Sequence, residues 1–288
     1  MELISYAKIN LGLRVLGRRS DGYHEIETVL QTVDLCDKIE LKSHPRSIRI
    51  RCDHPLVPKD EANLAFRSAH LLRETYGIRK GVEITIHKII PVGGGMGGGS
   101  SNSAGVLRGL VNFWDLSVSP SELFSLAAQL GSDVPFFLRG GTALARGRGQ
   151  DLEYFNPGWG DVGFVLIYPR VMVSSASAYK SAKISLTKNS KYVNLKSLSY
   201  KGRVHLHGLK FLIANDLEGG VARRFPIIER AKEVLHTEGA SAVAMTGSGS
   251  TTYGLFVTWE EARKAAQRIC SPEWDVFVTK PVNPQEEE

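Results

Sequence analysis

The 288-residue chain is 42% hydrophobic and 23% charged, the composition of a globular protein with room for one large domain or two ordinary ones. Its net charge of +6 suits an anionic small-molecule ligand without requiring one. Cys36, Cys52 and Cys270 form neither a CxxC pair nor an even framework, which reads as reduced thiols in a cytoplasmic protein. No charged and apolar leader opens the chain, and the apolar run from Val162 to Tyr168 is too short for a bilayer, so secretion and membrane insertion are not expected.

Residues Ala7 to Val15 alternate as a strand, with Ala7, Ile9, Leu11, Leu13 and Val15 on one face and Lys8, Asn10, Gly12 and Arg14 on the other. Taken alone, the second face reads as the wet side of a half-buried strand. A turn-rich connection from Gly17 to Glu25 follows, in which Asp21-Gly22 favours a tight reversal. It delivers Tyr23 and His24 to the start of the next strand, where a ring beside an imidazole could stack on and hydrogen-bond a base. Glu25 to Lys42 is extended, Ser47 to Cys52 is a short strand, and Asn63 to Tyr76 is a helix with Leu64, Ala65, Leu71 and Leu72 as its stripe.

The apolar run Val82 to Ile90 then leads into Pro91-Val92-Gly93-Gly94-Gly95-Met96-Gly97-Gly98-Gly99-Ser100-Ser101-Asn102. Six of the seven positions from Gly93 to Gly99 lack a side chain, so the backbone can take positive φ and approach a ligand closely. Val106, Leu107, Leu110 and Val111 mark one face of a helix directly after it. Strand, glycine turn and helix start together gather amide N–H groups and the positive end of a helix dipole around one point, which is how backbone binds phosphate.

Further on, Ser119-Pro-Ser-Glu122 is a capping box, its helix runs through Leu123, Leu126, Ala127 and Leu130, and Gly131 stops it. Asp133 lies in the bend beyond, before the apolar segment Phe136 to Leu138; alone it is an ordinary turn carboxylate. Gly140 to Gly149 suits a bent strand pair, and a soft domain boundary falls around Leu152 to Trp159. From Val162 to Asn215 there is no Asp or Glu but nine Lys or Arg, and the Ser/Lys-rich part from Lys180 to Arg203 reads as solvated surface or as an anion-attracting flank. Asp216 opens a helix towards His236. A second glycine turn, Thr246-Gly-Ser-Gly249, sits between apolar strands from Ser241 to Phe256. Trp259 to Ile269 is helical, Val276 to Val278 is a closing strand, and the tail Asn283 to Glu288 is polar and frayed.

Two common phosphate-binding schemes fail. A P-loop needs Lys and then Ser/Thr after its last glycine, and here Ser100 and Ser101 follow Gly99 with no Lys. The dinucleotide pattern occurs as Gly93, Gly95 and Gly98, but Asp115, some twenty residues on, ends a helix instead of a second strand. The remaining scheme is a glycine loop ending in Ser-Ser at a helix start. With Ala7-Lys-Ile-Asn-Leu11 and Thr246-Gly-Ser-Gly249, this arrangement closely resembles the GHMP kinases. Ala7 to Asn10, Gly17 to Glu25, Gly131-Ser-Asp-Val-Pro135 and Ala214-Asn-Asp-Leu217 further resemble the branch with a cytidine-bearing acceptor.

That resemblance implies a two-domain α/β (α+β) fold. Residues 1–154 would be like the second domain of ribosomal protein S5 and residues 155–288 ferredoxin-like, with ligands in the cleft between. It implies transfer of the ATP γ-phosphoryl group to the 2-hydroxyl of diphosphocytidyl methylerythritol, in non-mevalonate isoprenoid synthesis, with Mg²⁺ on the phosphates and no metal ligand assigned. Asp133 would be the catalytic carboxylate, Lys8 its partner, and Pro91 to Ser101 the ATP loop, with Asn63 and Lys88 on the nucleotide side. Asn10, Tyr23, His24 and Tyr179 would meet the acceptor, the two Tyr rings on cytosine and His24 at its edge. The partner would be a small molecule, neither nucleic acid nor membrane. Met96, Ser103 and Ser250 depart from the usual pattern without removing any of these groups. Another acceptor of mevalonate or homoserine type, or a non-catalytic nucleotide- or RNA-binding protein, are the alternatives. Tyr23, His24 and Tyr179 discriminate against the first, and Lys8 with Asp133 against the second.

Overall fold

The alternating N-terminal stretch forms a strand longer than its pattern, β1 (Glu2–Arg18), and after the Asp21–Gly22 reversal, with Gly22 at φ 85°, the chain returns as β2 (His24–His44). The computed structural model describes residues 1–182, 199–200, 203–204 and 213–284. Their packing divides into two compact units. The first comprises Met1–Ala7, Leu35–Val92 and Gly97–Gly140; the second comprises Lys8–Asp34, Gly93–Met96 and Gly141–Glu288. The units are interleaved along the chain, because β1 and β2 supply residues to both and the glycine loop returns briefly to the second.

In the first unit, β4 (Gly81–His87) pairs antiparallel with the end of β2, in the register Leu41↔Ile84, and parallel with β3 (Ile48–Cys52), Ile50↔Ile84. The helices α1 (Leu64–Tyr76), α2 (Gly98–Phe113), α3 (Pro120–Leu130) and α4 (Val134–Arg139) complete it. Local signals set their ends. Asn63 caps α1 by accepting from the Ala65 amide, Gly77 closes it at φ 64°, and α3 begins with the Ser119–Glu122 capping box. Helix α2 packs closely because Gly109 has no side chain: a Cβ there would lie 3.1 Å from the Leu41 Cδ1.

In the second unit, Ile26–Gln31 of β2 pair with β5 (Thr142–Gly147), which forms a hairpin with β6 (Asp151–Phe155). A separate antiparallel sheet has the order β10 (Ala242–Met245), β11 (Thr252–Phe256), β7 (Gly163–Tyr168), β12 (Asp275–Thr279). Its core joins Val165, Ile167 and Phe256 to Ala231 and Leu235 of α7 (Ile227–Thr237) and to Ala262 and Ala265 of α8 (Trp259–Arg268). The short helices α5 (Ser175–Ser181) and α6 (Glu218–Arg224) belong to a second cluster with Leu13, Val15, Ile26 and Met245. Two short strands, β8 (Ser199–Tyr200) and β9 (Arg203–Val204), pair antiparallel; most of the basic 180–203 stretch and the end of the tail lie outside the described residues.

Two expectations change. The helix expected from Asp216 to His236 is two helices, α6 and α7, because Pro226 lacks an N–H and restricts Phe225, which sits at φ −130°, ψ 82°. The polar face of β1 is not wet: Lys8 and Asn10 are only 4% and 5% exposed.

Candidate active site

Within the second unit, three motifs that are far apart in sequence meet around the Lys8 side chain. Its ammonium donates to the Asn10 Oδ1 (2.5 Å) and to the Gly95 carbonyl (3.0 Å), while its backbone N–H donates to the Met96 carbonyl (3.1 Å). The Asn10 amide N–H donates to the Thr246 hydroxyl (2.9 Å), and the Thr251 N–H donates to the Gly94 carbonyl (3.2 Å). Glycine is required where these backbones touch. Gly247 sits at φ 56°, and a Cβ on it would lie 3.1 Å from the Asn10 Oδ1 and 3.2 Å from the Lys8 Nζ. Gly95 sits at φ 80°, where a Cβ would lie 2.8 Å from the Gly249 nitrogen. Asn215 holds the second glycine turn, its Nδ2 donating to the carbonyls of Met245 (2.8 Å) and Gly247 (2.7 Å). Ser250, one of the departures, is buried and donates to the Val171 carbonyl. Asn215 and Thr246 lie in the motifs Ala214-Asn-Asp-Leu217 and Thr246-Gly-Ser-Gly249 that carry the resemblance, whereas Thr28 carries no local sequence signal that ties it to Lys8.

Within the first unit, Gly97 is the N-cap of α2 at φ 71° with no side chain to cap it. The Ser101 N–H closes the first turn on the Gly97 carbonyl (2.9 Å), so Gly98, Gly99 and Ser100 hold the amides that a helix start leaves for an anion. The Ser101 hydroxyl is committed elsewhere: it donates to the Tyr6 carbonyl (2.6 Å) and accepts from the Ser5 hydroxyl (2.7 Å). Beneath the loop, the Lys88 ammonium donates to the Asp37 Oδ2 (2.7 Å) and the Ile90 carbonyl (2.7 Å), and a Cβ on Gly98 would lie 2.9 Å from it. The Asp37 carboxylate also accepts from the amides of Ile89 (2.7 Å) and Ile90 (2.8 Å) and from the Asn102 Nδ2 (2.9 Å). Lys88 is therefore a buried support of the loop, as Asn63 is of α1: its Oδ1 takes the Ala65 amide (2.9 Å) and its Nδ2 donates to the Pro58 carbonyl (2.7 Å). Ser103, another departure, pairs with the Ser68 hydroxyl (2.7 Å).

Asp133, half-buried, precedes α4 with helical φ −86° and ψ −14°, and its carboxylate makes no capping bond to that helix. It belongs to the first unit and Lys8 to the second.

Tyr23, His24 and Tyr179 all lie in the second unit. Tyr23 is 55% exposed, and the Arg148 guanidinium sits 4.9 Å from its ring centroid. His24 stacks on Tyr179 of α5, centroids 4.8 Å apart and planes 14° from parallel. The turn is fixed by Asp21, which accepts the Tyr23 amide (3.1 Å) and the Arg19 guanidinium (3.1 Å). Desolvation is the largest single influence and pushes the Asp21 carboxyl up; the Tyr23 and Arg19 donors, with the charges of Arg19 and Arg148, together outweigh it and leave the group below its ordinary value. Arg148, on the β5–β6 turn, was not singled out by sequence, because nothing local links it to Tyr23.

A glycine loop at a helix start, a buried lysine against a second glycine turn and an aromatic cluster define a small-molecule kinase of the GHMP type. The models of the GHMP kinases N terminal domain and the GHMP kinases C terminal domain match residues 63–141 and 203–272. A 4-diphosphocytidyl-2-C-methyl-D-erythritol kinase of Clostridium botulinum (strain Alaska E43 / Type E3) is 35% identical over 98% of this chain and 100% of its own. One of that name from Synechococcus sp. (strain JA-3-3Ab) is 40% identical over 96% and 93%. A crystal structure of 4-(cytidine 5'-diphospho)-2C-methyl-D-erythritol kinase superposes with a TM-score of 0.80 at 32% identity, covering 98% and 99% of the two chains. The chain belongs to the GHMP kinases, in the family of 4-diphosphocytidyl-2-C-methyl-D-erythritol kinases.

Proposed function

We propose that the protein uses ATP to phosphorylate the 2-hydroxyl of 4-diphosphocytidyl-2-C-methyl-D-erythritol, a step of non-mevalonate isoprenoid precursor biosynthesis. The observation that carries this is its near-full-length identity with kinases of that name. The residues fit a nucleotide. The uncapped start of α2 offers amides to phosphate. ATP supplies the transferable γ-phosphoryl group and the negative charge that the loop neutralises. Pro91 to Ser100 hold it, with Ser101, Lys88 and Asn63 acting beneath it through the loop and α1.

An alcohol is a poor nucleophile at neutral pH. Asp133 accepts the proton of the acceptor hydroxyl, an action typically worth about 10²–10⁴ in rate. The Lys8 ammonium, held by Asn10 and the Gly95 carbonyl, stabilises charge developing on the acceptor oxygen. Tyr23 and Tyr179 offer ring faces and His24 an edge to cytosine, and Asn10 orders the acceptor side. Mg²⁺ accompanies the nucleotide, whose phosphate oxygens supply it with ligands. Residues 1–154 and 155–288 are the two domains of this reading. No helix among the described residues is long and apolar enough to cross a membrane, and no disulfide joins Cys36, Cys52 or Cys270. We place the enzyme in the cytoplasm, acting on a small molecule and not on nucleic acid.

The test is ATP consumption against a panel of alcohols: the cytidylyl substrate, mevalonate and homoserine. Turnover should appear with the first alone, and Tyr23→Ala should raise its KM far more than the KM for ATP. Equal effects on both would favour an acceptor without cytidine.

A further inference from the structure

The Asn10 side chain faces partners that need opposite ends of its amide, and the Thr246 hydroxyl, 3.4 Å from the Oδ1, lies on the oxygen side. On one side is the Lys8 ammonium, 2.5 Å from the Oδ1, which can only donate. On the other is the Thr28 hydroxyl, 2.8 Å from the Nδ2. A hydroxyl has one proton, and Thr28 gives its own to the Gly12 carbonyl at 2.6 Å. The oxygen of Thr28 therefore faces Asn10 as an acceptor, and only the NH₂ end can meet it. All three side chains are buried, Thr28 at 3% exposure, so water does not stand in for a lost partner.

We infer that Thr28 is a positioning residue for Lys8: by accepting from the Asn10 Nδ2 it turns the amide oxygen towards the ammonium and fixes where that charge sits. The relay runs across the paired strands β1 and β2, from the Gly12 carbonyl through Thr28 and Asn10 to Lys8. It rests on the reading of Lys8 as catalytic. Without the Thr28 hydroxyl, nothing on that side distinguishes the two ends of the amide. A flipped Asn10 would point two donors at a cation, which would shift it from its place against Gly95.

The test uses the full-length enzyme. Thr28→Val keeps the shape and removes the hydroxyl; Thr28→Ser keeps the hydroxyl. Thr28→Val should lower kcat about tenfold to a hundredfold, the range for a hydrogen bond to a charged group, with both KM values within about twofold. Thr28→Ser should restore most of kcat. In an Asn10→Asp background, whose carboxylate has no wrong end, Thr28→Val should add less than about threefold; a merely structural role would act additively there. By NMR on the ligand-free protein, the Asn10 side-chain amide protons should lose exchange protection in Thr28→Val and keep it in Thr28→Ser. Thr28→Ala is the second probe should Thr28→Val fold poorly. A Thr28→Val enzyme with near-normal kcat, while Lys8→Met is inactive, overturns the relay alone. An active Lys8→Met enzyme overturns the catalytic reading of Lys8 and the relay with it.

Discussion

Asp133 differs from most helix-start carboxylates in that it makes no capping bond to the helix it precedes. Its proposed work is chemical, to accept the proton of the acceptor hydroxyl. Asp133→Asn is expected to lower kcat at least about a hundredfold, from the general-base range, while ATP affinity measured by calorimetry stays within a few-fold. Near-normal turnover would show that another group takes the proton. Gly247 makes the opposite kind of prediction, one about space. At φ 56°, with a Cβ placed 2.7 Å from the Gly95 carbonyl and 3.2 Å from the Lys8 Nζ, Gly247→Ala has no relaxed position. It should lower both melting temperature and kcat, whereas Gly239→Ala, also at positive φ but with nothing within 4 Å, should leave kcat unchanged. The role of Lys8 could be reached from sequence only through the motif resemblance. Alternation on β1 describes one strand, and the burial of its polar face comes from Thr246, Gly247 and Gly95, which no local pattern connects to it.

Elements are held together here by buried polar hubs as well as by apolar faces, and Asp37 is the best example. One carboxylate gathers the exit of β4 through the Ile89 and Ile90 amides, the Lys88 ammonium, and α2 through Asn102. These are the two sides of the glycine loop. Removing one member of a buried ion pair typically costs about 3–5 kcal/mol, because the other charge is left unmatched. Asp37→Ala should lose about that much in urea unfolding, and its KM for ATP should rise more than its kcat falls. A loss under about 1 kcal/mol would mean that water replaces the carboxylate at little cost. Near this hub α3 was legible because its punctuation is local, the Ser119–Glu122 box and Gly131 acting at the ends they mark, and α1 because of its apolar stripe. The break at Phe225–Pro226 is equally local, since it is set by the proline itself. The tie between Lys88 and Asp37 leaves no local trace in the sequence, because the two are 51 residues apart.

At the scale of the whole molecule, the two compact units are not consecutive halves of the chain, so a ligand's effect should be mapped by unit and not by sequence half. A boundary near residue 154 is read from the new apolar run that begins soon after it. The strands β1 and β2 are each long enough to supply both compact units, and strand length beyond a clean alternation has no strong signal. Tyr23, His24, Arg148 and Tyr179 come from the β1–β2 turn, the start of β2, the β5–β6 turn and α5, all within the second unit. If they read cytosine, cytidine diphosphate alone, without ATP, should stabilise this unit. At one hundred times its Kd, a ligand adds about 2.7 kcal/mol, roughly a hundredfold slowing of amides that exchange through opening of the unit it binds. Hydrogen exchange with cytidine diphosphate should slow most in residues 19–28, 146–150 and 175–182, and least in α1 and α3. A non-hydrolysable ATP analogue should instead slow residues 93–104. Cytidine diphosphate protection confined to 93–104 would place it in the nucleotide-donor loop and remove the basis for a cytidine-bearing acceptor at Tyr23.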